Sequence, residues 1–225
     1  NKSVLNLGMG SNGPLTEYST LREYLNPNVK KVLWIYYESN DLSDLNTELK
    51  NEILKNYYTK LTFTQNLKTK QKEIDILAKQ MIKNRFSDKK IKRKDTLNFF
   101  KLTNVRMSLV NYLPNKYYPH PQNKPQAEFI KIIKLAKDLT SKNNSKLYFI
   151  YLPEYSRYTK SYDEKSYFSV KKIVEELNIE FIDIHAEVFI KTQNPLELFP
   201  FGMLNHYTVE GYRTVAEKIY EFTKD

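Results

Sequence analysis

The stretch KVLWIYYESND, residues 31–41, passes from a run of apolar and aromatic residues directly into four polar ones. A short run rich in Val, Leu, Ile and aromatic residues, without polar alternation, is typical of a strand covered on both faces. In open parallel sheets, functional groups lie just beyond the carboxyl ends of the strands. The stretch therefore predicts a buried parallel strand that brings Ser39, Asn40 and Asp41 to a crevice.

Three further runs have the same character, and helical patterns separate all four. The runs are Ser3–Met9, Lys146–Leu152 and Glu180–Ile184. Apolar residues at helical spacing predict helices over Leu15–Leu25, Leu67–Ile82, Phe129–Leu139, Val170–Leu177 and Val209–Ile219. Strands that alternate with helices predict an α/β fold with a doubly wound parallel sheet in three layers.

The length of 225 residues favours a single domain over residues 1–225. Residues from about 46 to 112 show no strand pattern, which predicts a helical insertion between the second and third of the four strands. The insertion contains a dense basic run, Lys83–Lys94. A loop rich in Pro and Tyr, 112–125, leads back to the sheet.

The composition bears on partners and excludes some chemistry. A net charge of +10 would suit nucleic acid or an anionic surface. The excess is mostly Lys, however, and it accompanies abundant Asn, Ile and Tyr, as AT-rich codons alone would produce; we therefore predict no nucleic-acid partner. The chain has no cysteine, which excludes disulfides, thiol catalysis and Cys-ligated zinc. The longest apolar runs fall far short of the roughly 20 residues of a membrane span.

The residues after the first predicted strand are rich in glycine. They read GMGSNGP, with Gly10, Ser11 and Gly13 ahead of Pro14. Glycines let backbone N–H groups approach a phosphate or an oxyanion closely. The spacing is not that of the dinucleotide-binding fingerprint, and a plain strand-to-helix turn remains the alternative.

Two further residues have types suited to catalysis. The amide of Asn40 is a good oxyanion donor, although Asn also initiates turns and caps helices. His206 directly precedes the last predicted helix, for which Thr208 is the expected N-cap, and a neutral imidazole there can act as a general base. A packing or surface role is the alternative for His206.

Together these stretches resemble the SGNH (GDSL-type) superfamily of esterases and acyltransferases. That superfamily has a glycine after its second strand, a G-x-N-D block after its third and a D-x-x-H block before its last helix. Here Asn6–Gly13 resembles the first of these, Glu38–Asp41 the second, and His206 with Gly211 and Tyr212 the third. Their order and spacing agree over almost the whole chain.

The resemblance implies a flavodoxin-like fold, with Asn40 and a backbone N–H near Ser11 as the oxyanion hole and His206 as the base. Its substrate would be a small-molecule or carbohydrate O-acyl ester, and no cofactor or metal is implied. Position in the sheet adds Glu154 and Tyr155, which follow the third predicted strand, to Gly10 and Gly13 as substrate-binding candidates. His185 is expected to be structural.

The chain also departs from the superfamily's pattern. It has no Gly-Asp-Ser block, so we expect the nucleophilic serine on a strand upstream of Asn1 and no esterase activity from this chain alone. Met203 stands where the D-x-x-H block has its Asp, and Glu38 where the G-x-N-D block has its Gly. Asp183 is a candidate orienter for the histidine; a turn or helix-capping role is its alternative. A non-enzymatic carbohydrate- or surface-binding domain is the competing hypothesis, and compartment and oligomeric state stay open.

Overall fold

The computed structural model describes residues 3–87, 125–159, 162–202 and 206–224. Residues 88–94 of the basic run, residues 112–124 of the loop and Met203 lie outside the described residues. The chain divides into two compact units. One is formed by Asn1–Thr64 and His120–Asp225, and the other by Gln65–Pro119.

Strands and helices alternate along the first unit as the sequence predicts. Its strands are β1 (Lys31–Tyr37), β2 (Lys146–Leu152) and β3 (Glu180–Asp183). Its helices are α1 (Pro14–Tyr24), α2 (Asp41–Glu48), α3 (Glu52–Thr59), α5 (Ala127–Lys142), α6 (Lys165–Glu176) and α7 (Val209–Thr223), and the second unit contains α4 (Gln71–Ser87). Short 3₁₀ turns cover Tyr155–Tyr158, Pro195–Leu198 and Pro200–Gly202, and a π-helical turn covers His185–Phe189.

The described strands form one parallel sheet in the order β1-β2-β3. Every residue of β1 is in register with one of β2, from Lys31 opposite Lys146 to Tyr37 opposite Leu152. The α/β class and three of the four predicted strands are thereby confirmed. All three strands end on one side, so the residues that follow them share one end of the sheet.

The sheet residues alternate between two apolar clusters because successive side chains of a strand point to opposite faces. Trp34, Tyr36 and Phe149 belong to a cluster that includes residues of α1, α5 and α6. Tyr148 and Ile150 belong to the other, which includes Val215 of α7. Both faces of β2 are covered, which explains why its sequence shows no alternation.

The predicted strand at Ser3–Met9 is wrong. These residues form no strand, and the side chain of Val4 is 89% exposed. A strand forms only where a neighbour accepts and donates its backbone hydrogen bonds, and no described strand pairs with this segment. Within the described residues β1 pairs with β2 alone, and its Leu33 and Ile35 are 41% and 39% exposed.

Helix α1 begins where the glycine-rich turn meets α2. Pro14 occupies its first turn, where a missing N–H is tolerated. Glu48, at the end of α2, accepts hydrogen bonds from the N–H groups of Gly13 at 2.7 Å and Leu15 at 3.0 Å. Its carboxylate therefore caps α1 across 35 residues of sequence. Gly13 lies so close to α2 that no side chain fits there.

We expect Gly13→Ala to destabilise the fold. A Cβ at Gly13 would lie 2.8 Å from Glu48 Oε2 and 2.9 Å from the backbone nitrogen of Leu45, and such overpacking typically costs about 1–3 kcal/mol. Gly10→Ala is the matched control, because nothing lies within 4 Å of a Cβ there. Urea unfolding of both variants measures the difference. Equal midpoints for the two variants would contradict the close contact with α2.

Candidate active site

The turn after β1 is held at both of its ends. Asp41 Oδ2 accepts a hydrogen bond from the N–H of Tyr37 at 2.9 Å, which closes the turn over Ser39 and Asn40. Burial raises the pKa of Asp41 well above its usual range. The hydrogen bond from Tyr37 acts in the opposite direction, and the charge of Asp44 raises this pKa further. The turn therefore leads directly from the sheet into α2.

The side chain of Asn40 is oriented by its own helix. Asn40 is the residue before α2, and its Nδ2 donates to Asp44 Oδ2 at 2.6 Å. A primary amide has two N–H donors, so this hydrogen bond orients the group while using one of them. The second N–H is what an oxyanion donor needs, and that role of Asn40 stays a prediction.

The glycine-rich turn packs against the same helix. Gly13 is buried against Asp44 and Leu45, and its N–H is taken up by Glu48. Gly13 therefore has a packing role here and does not present its N–H to a ligand. Gly10 and Ser11 are exposed, and Ser11 has a left-handed φ of 68°. Ligand contact by Gly10 and Ser11 stays a prediction.

His206 lies beside the carboxyl end of β1. Its exposed imidazole ring contacts the ring of Tyr37, with centroids 5.4 Å apart. The following residue, Tyr207, donates its hydroxyl to the carbonyl of Pro153 at 2.5 Å and so ties this turn to the end of β2. Thr208 accepts from the N–H of Gly211 at 3.0 Å, which confirms the predicted N-cap of α7. The structure thus brings His206 near the turn that carries Asn40.

Sequence reasoning missed a buried ion pair at this end of the sheet. Arg157 donates from Nε to Glu38 Oε2 at 3.0 Å and from Nη2 to Oε1 at 2.5 Å. The two side chains are 1% and 2% exposed. They lie 119 residues apart, and the only signal was a Glu where the resembled block has Gly.

Two tyrosine rings and a second carboxylate also contact the guanidinium of Arg157. Its guanidinium carbon lies 4.8 Å from the ring centroid of Tyr162 and 4.6 Å from that of Tyr167. Nη1 donates to Glu164 Oε1 at 2.8 Å. Burial disfavours the charged guanidinium, but the hydrogen bonds and charge of Glu38 outweigh it and raise the pKa of Arg157. The cation is therefore permanent.

Asp183 and His185 lie in the same network. The carboxylate of Asp183 accepts from the hydroxyl of Tyr167 at 2.5 Å and the N–H of Ala186 at 3.1 Å, and it lies 3.5 Å from Lys171 Nζ. The described contacts thus join Asp183 to its own turn and to α6, and they do not join it to His206.

His185 is buried beside Arg157. Its Nδ1 lies 2.8 Å from the hydroxyl of Tyr158. Burial and the nearby charge of Arg157 lower the pKa of His185, so the ring is neutral at pH 7. These contacts agree with the structural role expected for it.

The two residues after β2 differ in their surroundings. Glu154 is buried, and its N–H donates to Glu38 Oε2 at 3.0 Å. Burial and the charge of Glu38 raise the pKa of Glu154 to about 7, against hydrogen bonds from Ser39 and Tyr162. Tyr155 donates its hydroxyl to the carbonyl of Gly202 at 2.8 Å, on the loop before His206. Neither contact involves a ligand, and substrate binding by Glu154 and Tyr155 stays a prediction.

The described residues contain neither a metal-binding cluster nor a membrane-spanning helix. Across the described ranges, no three His, Asp or Glu side chains are grouped so as to hold a metal ion. None of the described helices combines the length and apolar character needed to cross a bilayer.

Comparison with known proteins gives no relative. No family model matches the chain, and neither a curated protein nor a solved structure is significantly similar to it. The interpretation of the site therefore rests on its own geometry.

Glu154 should make the stability of the chain depend on pH near neutrality. Its pKa is about 7 in the folded chain, against an ordinary value of 4.5, so the folded state keeps a proton that the unfolded state has released. The stabilising contribution is complete below about pH 4.5 and is lost as the pH rises through about 7, a change of up to about 3 kcal/mol. We expect Glu154→Gln to be more stable than the wild type at pH 8 and closer to it at pH 5, by urea unfolding.

The control for this prediction is Glu175→Gln, at an exposed position on α6. Its difference from the wild type should be the same at both pH values. A pH-independent difference for Glu154→Gln would show that this carboxyl group carries no proton near neutrality.

Proposed function

We propose that the protein is an SGNH-type esterase or O-acyltransferase, in which Asn40 contributes to the oxyanion hole and His206 is the general base. The observation that carries the proposal is the ring contact between His206 and Tyr37. It joins the turn before the last helix to the end of β1, three residues before Asn40. The glycine-rich turn packs on the helix that Asn40 begins. Two of the three stretches that resemble the superfamily thus lie together at the end of β1, and the third packs on Asp44, Leu45 and Glu48 of the helix that follows.

The proposal includes a three-layer, flavodoxin-like fold and a serine nucleophile outside residues 1–225. In this arrangement a further strand pairs with the open edge of β1 and ends in the serine. Two observations support such a strand: β1 has no second partner among the described residues, and Leu33 and Ile35 beside that edge are partly exposed. An additional strand would cover both the unpaired backbone groups and these side chains.

The chemistry assigns one step to each group. The serine attacks the carbonyl carbon of an O-acyl ester, and His206 takes the hydroxyl proton as the new C–O bond forms. The amide of Asn40 and backbone N–H groups of the Gly10–Ser11 turn stabilise the oxyanion. The alcohol leaves with the proton from His206. Water or an acceptor hydroxyl then releases the acyl group by the same route.

A carbohydrate- or surface-binding domain without catalysis is the second candidate. It is favoured by the contacts of Asp183, which lead to Tyr167, Ala186 and Lys171 rather than to His206. Labelling of the complete protein with a fluorophosphonate separates the two candidates, because only an activated serine reacts.

The chain of 225 residues should be inactive by itself, and the complete protein should turn over p-nitrophenyl acetate. In the complete protein, His206→Ala should lower kcat by at least about 10³-fold, because proton transfer to and from the nucleophile is lost. Asn40→Ala should lower kcat by about 10²–10³-fold with little change in KM, because its amide bonds mainly to the developing oxyanion. Steady-state kinetics with this ester measures both effects.

The matched control is His185→Gln, which keeps a hydrogen-bonding group for Tyr158 and should change kcat far less. Circular dichroism verifies that each variant is folded. An essential His185 together with a dispensable His206 would mean that the histidine block is misplaced. Unchanged kcat in the His206 and Asn40 variants would rule out the proposed site.

A further inference from the structure

We infer that Arg157 and Glu38 are positioning residues that hold the Ser39–Asn40 turn in the geometry that catalysis requires. The inference rests on the proposed function and extends it to two residues that none of the three resembled blocks explains. Arg157 lies outside all three blocks, and Glu38 occupies a position where the G-x-N-D block has a glycine.

The carboxylate of Glu38 is saturated with donors. It accepts from Arg157 Nε and Nη2, from the hydroxyl of Tyr151, and from the N–H of Glu154. The N–H of Glu38 itself donates to the carbonyl of Leu152 at 3.0 Å, extending the pairing of β1 with β2. Both the backbone and the side chain of this residue are therefore fixed to the end of β2.

Arg157 holds this carboxylate from a buried position where other side chains contact it. The rings of Tyr162 and Tyr167 lie on its guanidinium, and Glu164 accepts its Nη1. Tyr167 in turn donates to Asp183 at the end of β3. One cation thus connects the carboxyl ends of all three described strands, and a bidentate arginine fixes direction as well as distance.

A buried ion pair of this kind adds little to the free energy of unfolding. Desolvation of two buried charges largely cancels their attraction, and neutral side chains of similar volume are often as stable. What the ion pair adds is a defined geometry. This geometry would fix the position of Asn40, two residues after Glu38. Glu38 begins the turn, Asp41 closes it against Tyr37, and Asn40 lies between them. A displacement of about 1 Å at a catalytic group lowers the rate by about 10²-fold.

The experiment compares three variants of the complete protein. Arg157→Met leaves the charge of Glu38 buried without its cation, and we expect it to unfold at lower urea concentration than the wild type. Glu38→Gln removes the negative charge and keeps one side-chain oxygen, which can accept from the N–H of Glu154, while its amide N–H can donate to the hydroxyl oxygen of Tyr151. The double variant Glu38→Gln/Arg157→Met removes both charges and should recover much of the stability lost in Arg157→Met. We nevertheless expect its kcat for p-nitrophenyl acetate to be about 10²-fold below wild type, with little change in KM.

A purely structural pair predicts a different pattern, in which kcat recovers together with stability in the double variant. That result would overturn the inference. If the double variant does not fold, Glu38→Gln alone decides: it should reduce kcat and increase hydrogen exchange at the amide of Asn40, and wild-type values of both would overturn the inference.

The matched control is the exposed ion pair of Lys191 and Glu187, 2.6 Å apart. Its removal by Lys191→Met/Glu187→Gln should leave kcat unchanged. An inactive wild-type protein would reject the proposed function itself, whereas an active wild type with a fully active double variant would reject only the positioning role.

Discussion

A buried guanidinium must be neutralised and hydrogen-bonded, and around Arg157 this requirement organises one whole end of the sheet. Glu38, the residue after β1, neutralises this guanidinium. Glu164 and the rings of Tyr162 and Tyr167 contact it at the start of α6, and Tyr167 in turn binds Asp183 at the end of β3. Removing one ion of such a pair leaves the other without compensation. The loops that follow the three strands are therefore interdependent, although each is short and separate in sequence.

A second group of acidic residues determines how α1 meets α2. Glu48 uses both carboxylate oxygens on the N-terminus of α1, where the helix dipole favours negative charge. Burial and the charges of Asp41 and Glu48 raise the pKa of Glu17 well above its usual range. The carboxyl group of Glu17 is thus buried beside two other acidic side chains where α1 meets α2, and this environment disfavours its charged form.

The two ends of the candidate site differ in how firmly they are held. The Asn40 turn is tied by Glu38 on one side and Asp41 on the other. His206 is exposed and contacts the ring of Tyr37, with Tyr207 and Thr208 anchoring the residues that follow it. Within the part of the chain that the structure describes, the edge of β1 away from β2 has no neighbouring strand, and it leads into this firmly held turn.

The sequence by itself determined the α/β class, the position of β1, the bounds of β2 to the residue, and the N-cap of α7. These follow from local patterns: continuous apolar runs for strands covered on both faces, helical spacing, and a Thr directly ahead of a helix. Only the tertiary structure shows that residues 3–9 form no strand. A strand needs a partner for its backbone hydrogen bonds, and the apolar pattern does not say whether one is present. It also decided that Gly13 gives its N–H to Glu48 and that Glu38 meets Arg157, 119 residues away. Side chains with several donors or acceptors can satisfy many partners, and only packing in three dimensions selects among them.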